Sequence, residues 1–283
     1  LLAMRGITKT FPGVKALSNV DLTIYGGEVL ALVGENGAGK STLMKVLSGV
    51  YKMDEGQISI DGQPVTIVSP LASQRLGISI IYQELNLLNN MDIAENIFIG
   101  RELGDGFLID KKRQHEQART LLAEVGLDVS TTVKVRTLST AQKQMIEVAK
   151  ALSVHSRLII MDEPTSSLTE TETETLFGII RKLRDKGVSV VFVSHRMNEI
   201  FEISDRIAVM RDGEMVDTFQ TSDVTEADII GAMVGREIKS LFVKEDAKIG
   251  DVVYLAINEG VSRIPVYEQT VDNILGIIYV KDL

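Results

Sequence analysis

The chain has 283 residues, 45% of them apolar, enough to bury the core of one large domain or two modest ones. A formal net charge of −9 and a pI near 5.0 argue against nucleic acid as the main partner, because a phosphate-tracking surface concentrates Lys and Arg. The absence of cysteine excludes a disulfide framework or thiolate metal site and points to a reducing cytosolic compartment.

The first clear element in chain order is the strand Glu28–Val33, followed by a helix over Ser41–Ser48. Between them Gly34-Glu-Asn36-Gly37-Ala38-Gly39-Lys40-Ser41 fits G-x-x-x-x-G-K-[ST], directly after a strand and at the start of a helix. The glycines let backbone N–H groups converge on phosphate oxygens, and the helix N-terminus adds partial positive charge. Lys40 is expected on the β and γ phosphates, the Ser41 hydroxyl on Mg²⁺, and Thr42 beside them in the first helical turn.

A strand over Ile78–Tyr82 precedes a helical stretch from about Asn90 to Ala151. There Ala118, Leu121, Leu122 and Val125 fall at helical spacing before a capping Gly126, and a second helix begins near Ser139 with Met145, Ala149 and Leu152 on one face. The stretch reads as a helical insert, about 90–153, in an α/β core.

Arg157–Asp162 then forms a strand ending in Asp162 and Glu163, with Pro164 to stop it. Ligands of open α/β sheets collect at such carboxyl ends. Asp162 suits Mg²⁺, and Glu163 suits the orientation and deprotonation of an attacking water. Glu170–Lys186, Val188–Ser194 and Met197–Phe201 continue the alternation as helix, strand and helix. The near-continuous apolar strands Leu158–Met161 and Val188–Val193 predict a mainly parallel sheet covered on both faces. Such runs are far short of the roughly 20 residues that cross a bilayer, and the N-terminus has no basic-then-apolar signal pattern. A soluble protein is expected, with any membrane role supplied by a partner. His115 and His155 show no partner pattern and read as ordinary.

To this point the chain reads as a P-loop ATPase. Further residues resemble the ABC family over about Ala3 to Arg236. Leu138-Ser139-Thr140-Ala141-Gln142 is similar to its Leu-Ser-Gly-Gly-Gln signature, Gln83 to its Q-loop, Ser166-Ser-Leu-Thr169 to its D-loop and His195 to its switch histidine; Phe11 stands in the slot of the aromatic that stacks on adenine. Phe11-Pro-Gly-Val-Lys-Ala-Leu, Tyr82-Gln-Glu-Leu-Asn-Leu and Ser194-His-Arg-Met-Asn-Glu-Ile narrow the resemblance to the first cassette of bacterial ribose-, galactose- and xylose-type importers.

The resemblance implies two cassettes, as a homodimer or tandem pair, sandwiching ATP head to tail. Ser139, Ala141 and Gln142 of one would meet the γ-phosphate held by the other. His195 would contact that phosphate, and Gln83 would sense Mg²⁺ and link the site to membrane permease subunits, with a sugar-binding protein upstream. It also implies a cytoplasmic protein peripheral on the inner face of the membrane. Thr140 and Ala141 depart from the family's glycines, and Thr169 from its usual Asp; hydrolysis is expected to survive because Lys40, Asp162 and Glu163 are intact. Two readings stay open beside this one, a non-transport ABC ATPase and a nucleotide-sensing regulatory module.

The expected fold is thus an α/β P-loop ATPase core with an N-terminal antiparallel β portion and a helical subdomain, over residues 1–239. Importers of this type continue into a second cassette. Here residues 240–283 instead resemble one CBS repeat of magnesium/cobalt efflux-type proteins, through Gly260-Val-Ser-Arg-Ile-Pro-Val-Tyr267 and Asn273-Ile-Leu-Gly-Ile-Ile-Tyr-Val-Lys-Asp-Leu283. A helix from Val252 to Asn258 and strands Ile264–Tyr267 and Ile274–Tyr279 are expected in this small α+β tail. Because a CBS cleft for adenosine nucleotides needs two packed repeats, a remnant or joined segment is favoured over a working sensor.

Overall fold

The structure is a computed structural model, described for residues 1–83, 85–104, 108–234, 243–244, 252, 263–268 and 274–279. The chain divides into two compact units, Leu1–Asp223 and Val224–Leu283.

The first unit opens with two long strands, β1 (Leu2–Phe11) and β2 (Val14–Ile24), turned by Pro12-Gly13 and paired antiparallel. After β3 (Val29–Val33) and helix α1 (Lys40–Leu47) come β4 (Glu55–Ile60) and β5 (Gln63–Val65), which complete a four-stranded antiparallel sheet in the order β2-β1-β4-β5. Helix α2 (Pro70–Arg75) leads to β6 (Ile78–Ile81). The helical insert holds α3 (Ile93–Phe98), α4 (Lys111–Glu124) and α5 (Thr140–Leu152). Then follow β7 (Leu158–Asp162), α6 (Glu170–Asp185), β8 (Ser189–Val193), α7 (Met197–Ile203), β9 (Arg206–Arg211) and β10 (Glu214–Gln220).

The central sheet runs β10-β9-β3-β8-β7-β6. Its five strands from β9 to β6 are parallel, and β10 pairs antiparallel on the β9 edge. The period-two alternation of a strand divides its side chains between two cores. Ile159, Met161, Val190 and Phe192 pack with the helical insert and α6, whereas Leu158, Ile160, Val191 and Val193 pack with α1 and the antiparallel sheet. Burial on both faces explains why these strands read as unbroken apolar runs.

Local chemistry fixes the helix ends. Asp92 and Glu95 form a capping box at α3, Asp110 caps α4, Gly126 takes φ +69° just past α4, and Thr169 with Glu172 forms a capping box at α6. The predicted strand and helix positions agree with these elements to within a few residues, as does the division into parallel core, antiparallel portion and helical insert.

The second unit contains α8 (Glu226–Val234) and a three-stranded sheet, order β11-β12-β13, of β11 (Val243–Lys244), β12 (Arg263–Tyr267) and β13 (Ile274–Tyr279). The two longer strands occupy the positions expected for the CBS-like tail, with Ile264 buried. The expected helix Val252–Asn258 lies, beyond Val252, outside the described residues.

Candidate nucleotide site

Four neighbouring parallel strands deliver their carboxyl ends to one cavity of about 650 Å³. β3 ends at the 34–41 loop, β7 in Asp162-Glu163, β8 in Val193 and β6 just before Gln83. Asn36, Gly37, Ala38, Gly39, Lys40, Ser41, Thr42, Gln83, Asp162, Glu163 and Phe11 all line it.

The loop's shape depends on its glycines. Gly34 has φ +153°, and a Cβ there would sit 2.2 Å from the Met210 carbonyl oxygen; Gly39, at φ +100°, would place one 2.8 Å from that of Ala16. Gly37, at φ +89°, has no heavy atom within 4 Å of its Cβ position and so opens on free space. Lys40 Nζ donates to the carbonyl oxygens of Gly34 at 2.7 Å and Glu35 at 3.0 Å, closing the loop over its own helix start. Half-burial lowers the Lys40 pKa, with Glu163 and Asp162 acting the other way. Burial, then the neighbouring Glu163, raises that of Asp162 against the pull of Lys40 and Lys45.

Glu163 departs from the strand geometry. Its φ is +47°, uncommon for a side chain with a Cβ. Its N–H donates to the Val193 carbonyl at 2.9 Å, and its Oε1 lies 3.1 Å from His195 Nδ1. The turn after β7 therefore sets the carboxylate beside His195, two residues past the end of β8. His195 does not itself line the cavity; Glu163 connects it to the cavity rim.

Phe11 stacks edge-on against Tyr51, with ring centroids 5.1 Å apart, and Lys9 Nζ lies 5.4 Å from the Phe11 ring. One ring edge is thus used in packing while the residue still borders the cavity. Lys15 and the turn Asp212-Gly213, which none of the sequence motifs above singled out, also line the cavity. The Gly213 N–H donates to the Ala38 carbonyl at 3.2 Å, and its own carbonyl accepts from Ser18 N–H at 2.8 Å, so this turn ties the phosphate loop to β2. The Asp-Gly pair between two strands is a hairpin signal that marks the turn in the sequence.

Ser139, Ala141 and Gln142 are not brought to this cavity. Ser139 and Gln142 form a capping box at α5, the Ser139 Oγ accepting from Gln142 N–H at 3.2 Å and Gln142 Oε1 accepting from Ser139 N–H at 3.0 Å. The Ser139 and Gln142 N–H groups are thus already satisfied within the helix start. Thr169 likewise has a local role as the α6 N-cap, which an Asp would fill equally well. His115 hydrogen-bonds Thr131 through Nδ1 at 2.9 Å, consistent with an ordinary structural residue.

Among the described residues no cluster of three or more His, Cys, Asp or Glu side chains is placed to cage a metal. The oxygen donors at the cavity include the Asp162 carboxylate, the Ser41 hydroxyl and the Gln83 amide. These are hard oxygen donors of the kind that fits Mg²⁺, which keeps waters and completes its shell on phosphate oxygens.

A family model for ABC transporters matches residues 17–166, just over half of the 283. The chain belongs to the ABC transporter family. A CBS domain family matches residues 234–283. Among curated relatives, the ribose import ATP-binding protein RbsA of Clostridium perfringens is 49% identical over 267 residues, 92% of this chain and 53% of that protein. A putative ribose/galactose/methyl galactoside import ATP-binding protein of Agrobacterium fabrum is 49% identical over 282 residues, 98% of this chain and 55% of that protein. The chain thus spans about half the length of these relatives. A solved ATP-binding cassette of an ABC transporter in its ADP conformation superposes with TM-score 0.72 at 26% identity, covering 83% of this chain and 99% of that one. A dimeric cassette bound to ADP and Pi gives 0.68 at 26% identity, covering 78% and 99%. No helix among the described residues is long and apolar enough to cross a membrane.

Proposed function

We propose that this chain is the ATP-hydrolysing subunit of an ABC importer, coupling ATP turnover in a cassette pair to uptake of a monosaccharide. The Glu163–His195 pair, 3.1 Å apart beside the phosphate loop, carries the hydrolytic part of this reading. The names of the relatives, about half of whose length the chain spans, support the sugar.

On this reading the triphosphate lies along the N–H groups of residues 36–41, and the adenine lies against Phe11. Lys40 turns from the Gly34 and Glu35 carbonyls to the phosphates. Ser41, Asp162 and Gln83 hold Mg²⁺, which neutralises phosphate charge when bound. Glu163 orients the attacking water and takes its proton, while His195 shares the Glu163 carboxylate and contacts the γ-phosphate. The exposed Ser139 helix start, away from its own cavity, suits the γ-phosphate of a second cassette. Membrane permease subunits and a sugar-binding protein complete the assembly, and the protein sits peripherally on the cytoplasmic face. The cassette is taken as residues 1–239 and the CBS-like tail as 240–283.

The test is ATPase activity of Glu163→Gln beside the parent chain. Turnover should vanish while ATP binding persists and dimers accumulate with nucleotide. Undiminished turnover would remove Glu163 from its role.

A further inference from the structure

Glu199, in the first turn of α7, is 3% exposed, and its carboxylate accepts three hydrogen bonds. Thr165 Oγ1 donates to Oε2 at 2.7 Å, Ser194 Oγ donates to the same oxygen at 3.1 Å, and Arg196 Nη1 donates to Oε1 at 3.0 Å. Ser194 Oγ also accepts the Arg196 backbone N–H at 3.1 Å. Thr165 and Ser194 are themselves 2% and 4% exposed.

These donors come from two different loops. Thr165 stands two residues after Glu163 in the segment leaving β7, and Ser194 and Arg196 flank His195 in the segment leaving β8. One buried carboxylate therefore bridges the two loops that carry the Glu163–His195 pair. Burying such a group is costly unless it is fully hydrogen-bonded, and an apolar side chain would fill the same space without that cost. Its chemistry earns its place by indexing one loop against the other. We propose that Glu199 is a positioning residue that sets Glu163 and His195 at their working separation through Thr165 and Ser194. This inference rests on the assignment of Glu163 and His195 given above.

The experiment measures kcat, KM and ATP affinity for Glu199→Ala, Glu199→Gln, Thr165→Val and Thr165→Ser in the full chain. A misplacement of about 1 Å can cost on the order of 100-fold in rate, so Glu199→Ala should lower kcat by roughly 10- to 100-fold with ATP affinity held within about two-fold. Glu199→Gln, which keeps an acceptor for both hydroxyls, and Thr165→Ser should each recover much of the rate lost in Glu199→Ala and Thr165→Val. Adding Glu199→Ala to His195→Ala should cost little more, because both act on one pair. Unchanged kcat in folded Glu199→Ala and Thr165→Val, or losses that multiply in the double variant, would overturn the proposal.

A second readout separates this inference from the proposed function. The His195 imidazole nitrogen shifts, followed by NMR in the nucleotide-free chain, should move in Glu199→Ala or Thr165→Val in the same direction as in Glu163→Gln. If the parent chain turns over no ATP, the proposed function fails while this measurement still decides the positioning role: unmoved His195 signals in both variants would refute it.

Discussion

Two glycines three positions apart in the phosphate loop should fail in opposite ways when each gains a methyl group. At Gly34 the new Cβ would lie 2.2 Å from the Met210 carbonyl oxygen and 3.0 Å from the Ala38 Cβ, at φ +153°. Met210 belongs to β9, which is hydrogen-bonded to β3 on one side and β10 on the other, so its carbonyl cannot yield alone. Overpacking of this kind costs about 1–3 kcal/mol, and a side chain in this glycine-only backbone region about 1–3 kcal/mol more. The less flexible unfolded chain returns about 0.4–1 kcal/mol. At roughly 2–4 °C per kcal/mol for a domain of this size, Gly34→Ala should lower Tm by about 2–20 °C. At Gly37, φ +89° with nothing within 4 Å, only backbone strain of about 1–2 kcal/mol applies, a shift of a few degrees. That methyl stands in the cavity lining instead, so Gly37→Ala should lose more of the Tm rise that Mg-ATP gives than of Tm itself. Scanning fluorimetry of both variants with and without Mg-ATP is the assay. A Gly34→Ala protein melting with the parent, or two variants equally destabilised, would refute the steric argument.

Other outcomes follow from groups away from the cavity. Arg206 Nη1 donates to both Glu28 oxygens at 3.2 Å in a mostly buried pair, and Tyr25 N–H donates to Glu28 at 2.7 Å. Glu28→Ala should cost about 3–5 kcal/mol by chemical denaturation, and Glu28→Leu with Arg206→Met should recover part of it. Burial raises the pKa of Glu147, against Lys150 and the Asn86 N–H. The folded state then holds this proton more tightly than the unfolded state, so its contribution to stability falls as pH climbs from the ordinary glutamate value through the raised one. Glu147→Gln should flatten that decline in urea midpoints taken across the acid range. Gln144 Nε2 is buried without a hydrogen-bond partner, so Gln144→Met should gain about 1–2 kcal/mol; a loss would show that the amide is satisfied in solution.

The parts legible in the sequence were those whose chemistry is local. The 34–41 loop and the Asp162-Glu163 strand end declare themselves through adjacent residues, and the buried strands through runs of Val and Ile. The helical insert was half read. The apolar spacing of Ala118 to Val125 marks α4, yet α3 is only six residues long, too short after its Asp92–Glu95 capping box to show a helical period. What escaped was assembled by topology. Asp212-Gly213 reaches the phosphate loop because β9 lies beside β3, and Tyr51 reaches Phe11 because the segment entering β4 lies beside β1. Ser139 reads as a contact across a dimer, whereas in the fold it closes a capping box with Gln142 of its own helix, as Thr169 does with Glu172.

The order of the central sheet also grades how firmly each part of the cavity is anchored. β3, β7 and β8 are each laced to a strand on both sides, so the loop, the acids and Val193 share one stiff frame. β6 is a four-residue margin stitched on a single side, to β7. Gln83 hangs from that margin, so a tug on the sheet's border would displace it first while its companions stayed put.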